Sequence, residues 1–470
     1  MFKRFLHLLT VCFLFATLLA LANASYALPI VRAAPMGTPL PNSPDFPDFP
    51  DFPSFPGLPD FPGEDSAPTP NPLPTPTPTL NAAPTATPMP TPTQVSTPAP
   101  APTPAPTPTP VPTSGAIPTP ISGGHIQITT PGESIISLPD MTVFTIAPVT
   151  SNDIWIAGRY INTASQAQAF YEHFDGSHWA IVAAPVVGNF SSIYNMTVVS
   201  ANDIWAVGGY QIGSNPGTLD TALIEHWDGS RWSRVDHDNT SGDLLSTTVL
   251  SAANVWAVGV SYYYDKNYSA SQPVVATRIE HFDGSRWKVV SSPSPDKHSG
   301  LNSISPISAT DIWTVGVSAS NPIADHYDGS NWVAQSPTAS DNNTTFSSVS
   351  AVSANDVWAV GNTASGVLLD HWNGTNWTSV TNPSLASSNY SLISVLALQP
   401  QNVWALGTYS TDTATNLPRI LHLDGSGWNV IALPDALTQM FVWQRLGHSN
   451  TLVALGTYNG QMRLITITQN

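Results

Sequence analysis

The chain is poor in thiols and in basic side chains, and its first quarter is poor in residues that could form a hydrophobic core. Of its 470 residues only Cys12 is a cysteine, and it lies in an apolar run near the N-terminus. If that run is removed on export, the remaining protein has no disulfide, no thiolate nucleophile and no cysteine metal site. Its stability then has to come from packing alone.

Basic residues are scarce, with 14 Lys and Arg against 31 Asp and Glu. Residues 121–470 contain 25 acids and 11 bases, and 25 minus 11 leaves a net charge near −14. A surface of this sign repels phosphate, so we expect neither nucleic acid nor an anionic membrane surface as a partner. Acidity of this kind is ordinary for a secreted protein, in which it favours solubility.

The N-terminus has the pattern of an export signal. Lys3 and Arg4 precede an apolar run over residues 5–21, and the Ala-Asn-Ala sequence at 22–24 matches a small-x-small cleavage site. We therefore predict a signal peptide over residues 1–24 and a secreted or cell-surface location. The run is almost long enough to span a bilayer, so an uncleaved anchor, the one membrane contact we expect, stays open as an alternative.

Residues 25–120 lack the composition of a folded domain. Of the 46 prolines, 31 lie between Pro29 and Pro120, and proline has no backbone N–H to donate. Alternating Pro and Thr favours polyproline II, so we predict a disordered Pro/Thr-rich stalk. Phenylalanine recurs every third residue from Phe46 to Phe55, with aspartates between. That stripe would suit an aromatic-lined groove, and a triplet expansion without a function is the alternative.

A self-similar unit fills residues 121–470. Each copy has an apolar strand ending in glycine, as in Ile204–Gly208, preceded by a turn rich in Ser, Ala, Asn and Asp. After a variable loop, a third strand ends in Asp-Gly or Asn-Gly, a hairpin signal in which both residues tolerate positive φ. A tryptophan stands four residues after each of these Asp or Asn residues and begins a fourth strand. The glycines that end the second strands are Gly158, Gly208, Gly259, Gly316, Gly361, Gly407 and Gly456.

Each unit is thus a four-stranded antiparallel meander with two apolar faces, and copies packed around one axis form a β-propeller. Six units are complete, and the seventh stops after a third strand at Leu464–Ile467. His125–Pro131 has the pattern of the missing fourth strand. We therefore predict an all-β, seven-bladed propeller closed by pairing of these two segments. The structural tryptophans of the repeat are Trp155, Trp205, Trp256, Trp313, Trp358 and Trp404 in second strands, and Trp179, Trp232, Trp287, Trp332, Trp377 and Trp428 in fourth strands.

The run Ile204–Tyr210, followed by Ile224–Asp228 and Trp232, resembles a kelch repeat. The second unit alone has a glycine pair, Gly208-Gly209. The resemblance implies a propeller similar to the central domain of galactose-oxidase-type enzymes. The copper chemistry of those enzymes needs a cysteine–tyrosine cross-link, which a mature chain without cysteine cannot form. Sialidase Asp-boxes differ from the hairpins here, because a residue separates their Asp from their Gly.

Six of the twelve histidines share one repeat position, and an acidic residue directly precedes five of them. A metal site needs ligands within a few ångströms of one another, whereas these histidines are spread one per blade. We therefore expect no metal and no cofactor, and a structural bond from each histidine to a turn Asp or Asn. The histidines are His173, His226, His281, His326, His371 and His422, the turn residues Asp153, Asp203, Asn254, Asp311, Asp356 and Asn402, and the adjacent acids Glu172, Glu225, Glu280, Asp325 and Asp370.

The loops differ between the two rims of the predicted ring. The first-to-second and third-to-fourth strand turns are short and uniform and share one rim, the hairpin rim. The second-to-third loops and the inter-blade connections are long and unequal and share the other, the variable-loop rim. Tyrosines on such loops suit glycan rings or protein surfaces, and exposed tyrosines without a ligand are the alternative. The candidate ligand-binding residues are Tyr160, Tyr210, Tyr262, Tyr263, Tyr264, Tyr268, Tyr409 and Tyr458.

These patterns predict a non-catalytic, monomeric, extracellular binding module, with a glycan or protein ligand on the variable-loop rim. The alternative is a secreted carbohydrate-active enzyme, glycosidase-like or lyase-like. It would need two acids about 5–9 Å apart in a pocket, and the sequence spacing places no such pair. A structural spacer without a ligand is the third interpretation.

Overall fold

The computed structural model describes residues 126–129, 134–213, 219–238, 240–267, 273–319, 321–337, 344–381, 385, 389–410, 416–424 and 427–469. The predicted signal peptide (1–24) and the predicted stalk (25–120) lie outside the described residues, so both stay predictions. Within the described part of the chain, no helix is long and apolar enough to cross a membrane.

The described residues form seven antiparallel sheets of four strands, one sheet per blade. The first three blades are β2 (Thr142–Thr150), β3 (Asp153–Ile161), β4 (Ala167–Phe174) and β5 (Trp179–Val182); β6 (Phe190–Ser200), β7 (Asp203–Gln211), β8 (Thr221–Trp227) and β9 (Trp232–Arg234); and β10 (Gly242–Ser251), β11 (Asn254–Tyr263), β12 (Val274–Phe282) and β13 (Trp287–Val290). Blades 4 and 5 are β14 (Ser299–Ser308), β15 (Asp311–Ser318), β16 (Asn321–Tyr327) and β17 (Trp332–Gln335); and β18 (Thr345–Ser353), β19 (Asp356–Thr363), β20 (Gly366–Trp372) and β21 (Trp377–Ser379). Blades 6 and 7 are β22 (Tyr390–Gln399), β23 (Asn402–Tyr409), β24 (Leu417–Leu423) and β25 (Trp428–Ile431); and β26 (Leu437–Arg445), β27 (Thr451–Tyr458), β28 (Gln461–Gln469) and β1 (Ile126–Thr129).

Blade 7 is closed by the N-terminal strand, as the sequence predicts. β1 pairs antiparallel with the end of β28, from Ile126 opposite Gln469 to Thr129 opposite Thr466. The paired segment of β28 therefore lies two residues further along the chain than the predicted Leu464–Ile467. This pairing gives the last blade its fourth strand and leaves no three-stranded blade in the ring.

The first strand of each blade lies innermost, and neighbouring innermost strands contact one another around the ring until β26 returns to β2. Polar side chains of one innermost strand also bond the backbone of the next innermost strand. Thr145 Oγ1 accepts the Met196 backbone N–H (3.2 Å), and Asn195 Oδ1 accepts that of Thr247 (3.1 Å). Ser303 and Ser348 bond the backbones of the following blades in the same way, at 3.2 Å each. The centre of the ring is thus held by side-chain-to-backbone hydrogen bonds as well as by apolar packing.

Every innermost strand carries a β-bulge opposite the glycine that ends the second strand. The bulge brings the inner backbone close to the glycine, and a Cβ at any of the seven repeat glycines would overlap a carbonyl oxygen of the inner strand. In blade 5, a Cβ on Gly361 would overlap the Thr345 carbonyl oxygen and would lie 2.8 Å from Phe346 Cα. The repeat glycine is therefore required by a close backbone approach.

The tryptophans of the repeat are all buried, and they pack between blades. The second-strand tryptophan of one blade meets the fourth-strand tryptophan of the next edge to face. In the first such pair, the ring centroids of Trp155 and Trp232 are 5.6 Å apart at 83°. The other pairs are Trp205–Trp287, Trp256–Trp332, Trp313–Trp377 and Trp358–Trp428, at 5.3 to 5.8 Å.

The pattern of tryptophan pairs changes at blade 7, which closes the ring. By strand register, Val453 replaces the second-strand tryptophan of blade 7 and Ile128 replaces its fourth-strand tryptophan. Val453 lies in one hydrophobic cluster with Trp179, and Ile128 packs against the cluster that contains Trp404. The closing blade therefore uses aliphatic residues at both positions.

The Asp-Gly turns lie on the hairpin rim, where Gly229 packs against Asn202 of the neighbouring first-to-second turn. Both residues of the dipeptide tolerate positive φ, but in blade 2 only the glycine adopts it. Gly229 has φ +88°, whereas Asp228 is not among the positive-φ residues. Its carboxylate instead accepts the backbone N–H groups of Ser230 and Arg231, at 2.8 and 3.0 Å. The aspartate thus acts as an acceptor that closes a four-residue turn.

The variable-loop rim is also as predicted, because backbone hydrogen bonds join inter-blade connections to second-to-third loops there. The Asn189 N–H donates to the Gln211 carbonyl at 2.9 Å, and the Tyr262 N–H donates to the Ser241 carbonyl at 2.9 Å. β1 begins at the opposite rim. Its first residue, Ile126, pairs with Gln469, and Thr468 pairs with Thr451, which directly follows the first-to-second turn of blade 7. The chain therefore enters the propeller at the hairpin rim.

Candidate functional site

The repeated histidines have the structural role that the sequence predicts. His173 Nε2 lies 2.8 Å from Asp153 Oδ1, and its ring stacks on Trp155 with centroids 4.3 Å apart. The same bond to a turn Asp or Asn recurs in the next five blades at 2.8 to 3.0 Å. Where the partner is a neutral asparagine, at His281 and His422, burial lowers the histidine pKa. Each pair joins the first-to-second turn to the third strand, and no group of three or more His, Cys, Asp or Glu in the described ranges could hold a metal ion.

The eight candidate tyrosines do not form one surface. Tyr263 and Tyr264 are 49 % and 54 % exposed, whereas Tyr210 is 3 % exposed and belongs to the core between blades 1 and 2. Tyr210 is therefore not a residue of an exposed rim, because the blade 2 face on which it lies packs against blade 1. The others divide as follows: Tyr160 and Tyr458 pack against core clusters, Tyr409 stacks on Tyr390 at 4.6 Å, Tyr262 bonds Asp243, and Tyr268 lies outside the described residues.

The two exposed tyrosines share their rim with two exposed aliphatic side chains. Val186, in the connection from blade 1 to blade 2, is 89 % exposed, and Ile212, in the second-to-third loop of blade 2, is 69 % exposed. We call Val186, Ile212, Tyr263 and Tyr264 the rim patch. The other large hydrophobic side chains of comparable exposure in the described residues are mostly on outermost strands, such as Val289 and Val333 at 47 % and 43 %. Exposed apolar loop residues are thus concentrated on the variable-loop rim of blades 1 to 3.

A buried pair of carboxyl groups lies beside the rim patch. Asp220, in the second-to-third loop of blade 2, and Asp243, at the start of β10, are close enough for each carboxyl group to affect the pKa of the other. The Tyr262 hydroxyl donates to Asp243 Oδ2 at 2.9 Å. Burial, followed by the neighbouring Asp220 carboxylate, raises the pKa of Asp243 well above its usual range, and burial also raises the pKa of Asp220. Two buried carboxyl groups that lie this near each other favour protonation of at least one of them.

The second glycine of blade 2 makes room for this pair. A Cβ on Gly209 would overlap Asp243 Oδ1 and would lie 3.1 Å from Asp243 Cγ. The Gly-Gly pair that only blade 2 has does not by itself predict this contact, because Gly209 and Asp243 come from different repeats. An extra glycine in one copy was the signal that could have located the pair.

A buried ion-pair network in blade 3 is built on Arg278 and Glu280. The Arg278 Nε–H donates to Glu280 Oε1 at 2.7 Å, and His237 Nδ1 lies 3.1 Å from Glu280 Oε2. Arg278 also donates to Thr240 Oγ1 at 2.6 Å and to the Asp238 carbonyl at 2.9 Å. The network therefore holds the connection between blades 2 and 3 against blade 3.

The repeated acids are buried between blades, as a structural role requires, but their surroundings differ. Burial raises the pKa of Glu172 to about 8, in part offset by a hydrogen bond from the Ile136 backbone. Burial also raises the pKa of Glu225 to about 7, although it accepts a 2.7 Å hydrogen bond from Tyr171, and that of Asp325 to about 7. For Glu280, burial is outweighed by His237 and Arg278, and its pKa is lowered.

These acids make the stability of the propeller depend on pH. A carboxyl group whose pKa is raised on folding contributes stability fully below its unfolded pKa near 4.5, and that stability is lost as the pH rises through the folded pKa near 8. At about 1.4 kcal/mol per pKa unit, Glu172→Gln should gain roughly 2–4 kcal/mol in unfolding free energy relative to the unchanged protein between pH 5 and pH 8. Chemical denaturation at the two pH values measures this.

Glu280→Gln is the matched control for this prediction, because Glu280 holds the same repeat position with Arg278 and His237 as partners. It should destabilise the protein at both pH values, since it leaves a buried arginine without its carboxylate. Equal responses of the two variants to pH would contradict the assignment of Glu172 as an acid that is protonated in the folded state.

The chain matches no family model, and no curated protein matches it in sequence. Among solved structures, it is similar to one described as YCF48 bound to D1 peptide, with 12 % identity, a TM-score of 0.48, and coverage of 73 % of this chain and 97 % of that one. It is also similar to YCF48 from Cyanidioschyzon merolae, with 14 % identity, a TM-score of 0.46, and coverage of 72 % and 98 %. Likenesses at this level carry no argument about function, and membership of the kelch family stays a prediction.

Proposed function

We propose that this protein is a non-catalytic binding module whose propeller presents a protein-binding surface, the rim patch, on the variable-loop rim. The observation that carries the proposal is the exposure of Val186, Ile212, Tyr263 and Tyr264 on the variable-loop rim of blades 1 to 3. Apolar residues grouped on one face of a water-soluble ring favour an interaction site. Loops held by a rigid scaffold commonly carry binding residues.

The composition of the rim patch favours a protein ligand over a glycan. Tyrosine rings stack on sugars and on protein side chains alike. Val186 and Ile212, however, have no flat face and no hydrogen-bonding group, so a hydroxyl-rich sugar gains little from covering them. An apolar protein side chain would remove both from water, at about 25 cal/mol per Å² of apolar surface.

The path of the chain supports display of this surface. β1 begins at the hairpin rim, and the rim patch lies on the opposite rim, so the strand that closes the propeller leaves the rim patch uncovered. The extracellular location in this proposal depends on the export signal predicted at residues 1–24.

The alternative of a carbohydrate-active enzyme finds less support in the geometry. Its two acids would stand about 5–9 Å apart around a substrate. Asp243, one member of the acid pair on this rim, is only 4 % exposed, and the Asp220 carboxylate beside it helps to raise its pKa. A carboxyl group so buried is not accessible to a sugar.

Selection from a displayed peptide library, run beside a glycan array, tests the proposal. We expect the full chain to enrich peptides with apolar anchor residues and to give no array signal above background. Combined Ile212→Ser, Tyr263→Ala and Tyr264→Ala substitutions should weaken binding of the enriched peptides by at least about tenfold, since a few buried anchors carry most of the energy of an interface.

Val289→Ala and Val333→Ala provide the control, because these valines are similarly exposed but lie on outermost strands. Their substitution should leave peptide binding unchanged. Glycans bound in preference to peptides, or peptides whose affinity depends on the outer valines instead, would count against a protein ligand at the rim patch. Turnover of any array glycan would favour the enzyme alternative.

A further inference from the structure

Three arginines share one position of the repeat. Arg278 in blade 3, Arg419 in blade 6 and Arg463 in blade 7 each lie opposite the glycine that ends the second strand of their blade. Arg278 donates to Glu280 Oε1 at 2.7 Å, and Arg463 donates to Gln461 Oε1 at 2.6 Å. Within the part of the chain that the structure describes, Arg419 is the one arginine whose Nε–H is buried without an acceptor.

The acid that would pair with Arg419 is replaced in blade 6. Two residues after the position of these arginines, blades 1 to 5 carry the repeated acids described above, with Glu280 in blade 3. Blade 6 has Leu421 there, and Leu421 is fully buried. Blade 3 thus combines the arginine with an acid, whereas blade 6 has the arginine alone. The charge of Arg419 is therefore not balanced by its own strand.

Arg419 lies between blades 5 and 6 at the variable-loop rim. It shares a face of β24 with Leu421, which belongs to the hydrophobic cluster between these two blades. Its Cζ is 5.1 Å from the centroid of the Tyr409 ring, and that ring lies against Tyr390, with centroids 4.6 Å apart. All three polar side chains are half-buried, so solvent reaches them. The guanidinium is thus held over an aromatic surface by cation–π contact.

The backbone beside Arg419 is fixed by a link between the two blades. Asn362, near the end of the second strand of blade 5, donates through Nδ2 to the Leu392 carbonyl at 3.1 Å and accepts the Leu392 N–H at 3.0 Å. Leu392 pairs with Gly407, and Gly407 pairs with Arg419. The residues around the guanidinium therefore need little ordering when a ligand binds, and this favours affinity.

The charge of this part of the ring also favours an anion. Residues 389–470 contain three acids and three bases, whereas residues 121–388 contain 22 acids and eight bases. An anionic ligand is therefore repelled least at blades 6 and 7. Arg159 in blade 1 also lies over aromatic rings, those of Phe144 and Phe190, but it has no atom that is buried without a partner. Arg419 is thus the better candidate for an anion site.

We propose that Arg419, Tyr409 and Tyr390 form a binding site for a carboxylate group of a ligand. The N–H donors of a guanidinium match the two oxygens of a carboxylate in pairs, and the tyrosine rings offer flat apolar surface to the rest of the ligand. A carboxylate, that of Glu280, is the group that meets the equivalent Arg278 in blade 3, which favours a carboxylate over a phosphate. The site lies on blade 6, whereas the rim patch lies on blades 1 to 3, so it is a second site beyond the proposed function.

An NMR titration of the full chain, labelled with ¹⁵N at the arginine Nε positions, tests the proposal. Replacing Arg419 with lysine assigns its Nε–H signal. We expect this signal to shift saturably with N-acetylglutamate α-amide or with N-acetylalanine, which carry a side-chain and a terminal carboxylate, and the tighter of the two identifies the source of the carboxylate. The uncharged glutamine analogue should bind at least about tenfold more weakly, because it lacks a charge-assisted hydrogen bond.

The Arg278 signal is the internal control, since Glu280 already pairs with that guanidinium, and it should not respond. Leu421→Glu places in blade 6 the acid of the other blades and should weaken carboxylate binding by about tenfold or more, because it neutralises Arg419 from within.

Three results would overturn the proposal: no saturable shift at Arg419, equal affinity for the glutamine analogue, or tighter binding of inorganic phosphate than of either carboxylate. The titration of the unchanged chain decides among them even where Leu421→Glu does not fold. None of them bears on the rim patch, whose test uses other residues.

Discussion

Replacing Gly361 with alanine is expected to lower the free energy of unfolding by about 3 kcal/mol or more, because overpacking against backbone cannot be relieved by a side-chain rotation. The added methyl group would overlap the Thr345 carbonyl oxygen and approach Phe346 Cα to 2.8 Å. Either the bulge of β18 or its pairing with β19 would have to give way. Thermal and chemical denaturation of the purified variant measure the loss.

Gly460→Ala is the matched control, since Gly460 is also in a blade but has no atom within 4 Å of an added Cβ. Its φ of +73° should cost only about 1 kcal/mol, the strain of an alanine in that conformation. If the two substitutions lower the free energy of unfolding by the same amount, the close approach of the innermost and second strands is not what requires the repeat glycine. The same test applies at the six other repeat glycines.

Replacing Ile128 with aspartate should destabilise the propeller by about 3 kcal/mol, because the substitution places a charge without a partner against an apolar cluster. Ile128 lies opposite Ile467 in the closing strand pair and packs on the cluster that contains Trp404. Loss of β1 would leave blade 7 with three strands and would expose the edge of β28. Denaturation should then begin at a lower temperature, with earlier hydrogen exchange in Gln461–Gln469.

Gln127→Asp is the control in the same strand, because Gln127 is exposed, on the opposite face of the strand from Ile128. It should change the unfolding free energy by less than about 0.5 kcal/mol. Ile128→Asp without effect on stability or on exchange in β28 would mean that closure by the N-terminal strand does not support the ring. Equal losses from both substitutions would assign the effect to charge rather than to packing.

The fold could be predicted because its determinants recur with the repeat. In each copy the repeat glycine, the Asp-Gly or Asn-Gly turn and the fourth-strand tryptophan mark where strands end or begin. A strand whose sequence pattern is ambiguous in one copy can therefore be assigned from the clearer copies. The partial seventh unit also located its missing strand, which the pairing of Ile126–Thr129 with Thr466–Gln469 confirms. The histidine bonds to turn Asp and Asn residues followed from the same regularity.

The candidate binding residues lie at positions that differ between blades, and the repeat pattern does not predict which of them are exposed. Tyr210 and Tyr263 both follow repeat glycines in the sequence, yet one is 3 % and the other 49 % exposed. Their difference arises from the face of the strand on which each lies and from the blade packed against it. Val186 and Ile212 carry no motif at all, and only their positions in the folded loops show that they are exposed.

Periodic glycines, turns and tryptophans specify the architecture of this protein, because they act through local backbone conformation and through contacts that every blade repeats. Which residues meet between blades depends instead on how the blades pack in the folded ring. Gly209 and Asp243, or Arg159 and Phe190, come from different repeats and are joined by packing alone. Burial and charge pairing, which distinguish a core acid or tyrosine from one that can bind a partner, are set by those contacts across blades and have no counterpart in the spacing of a single repeat.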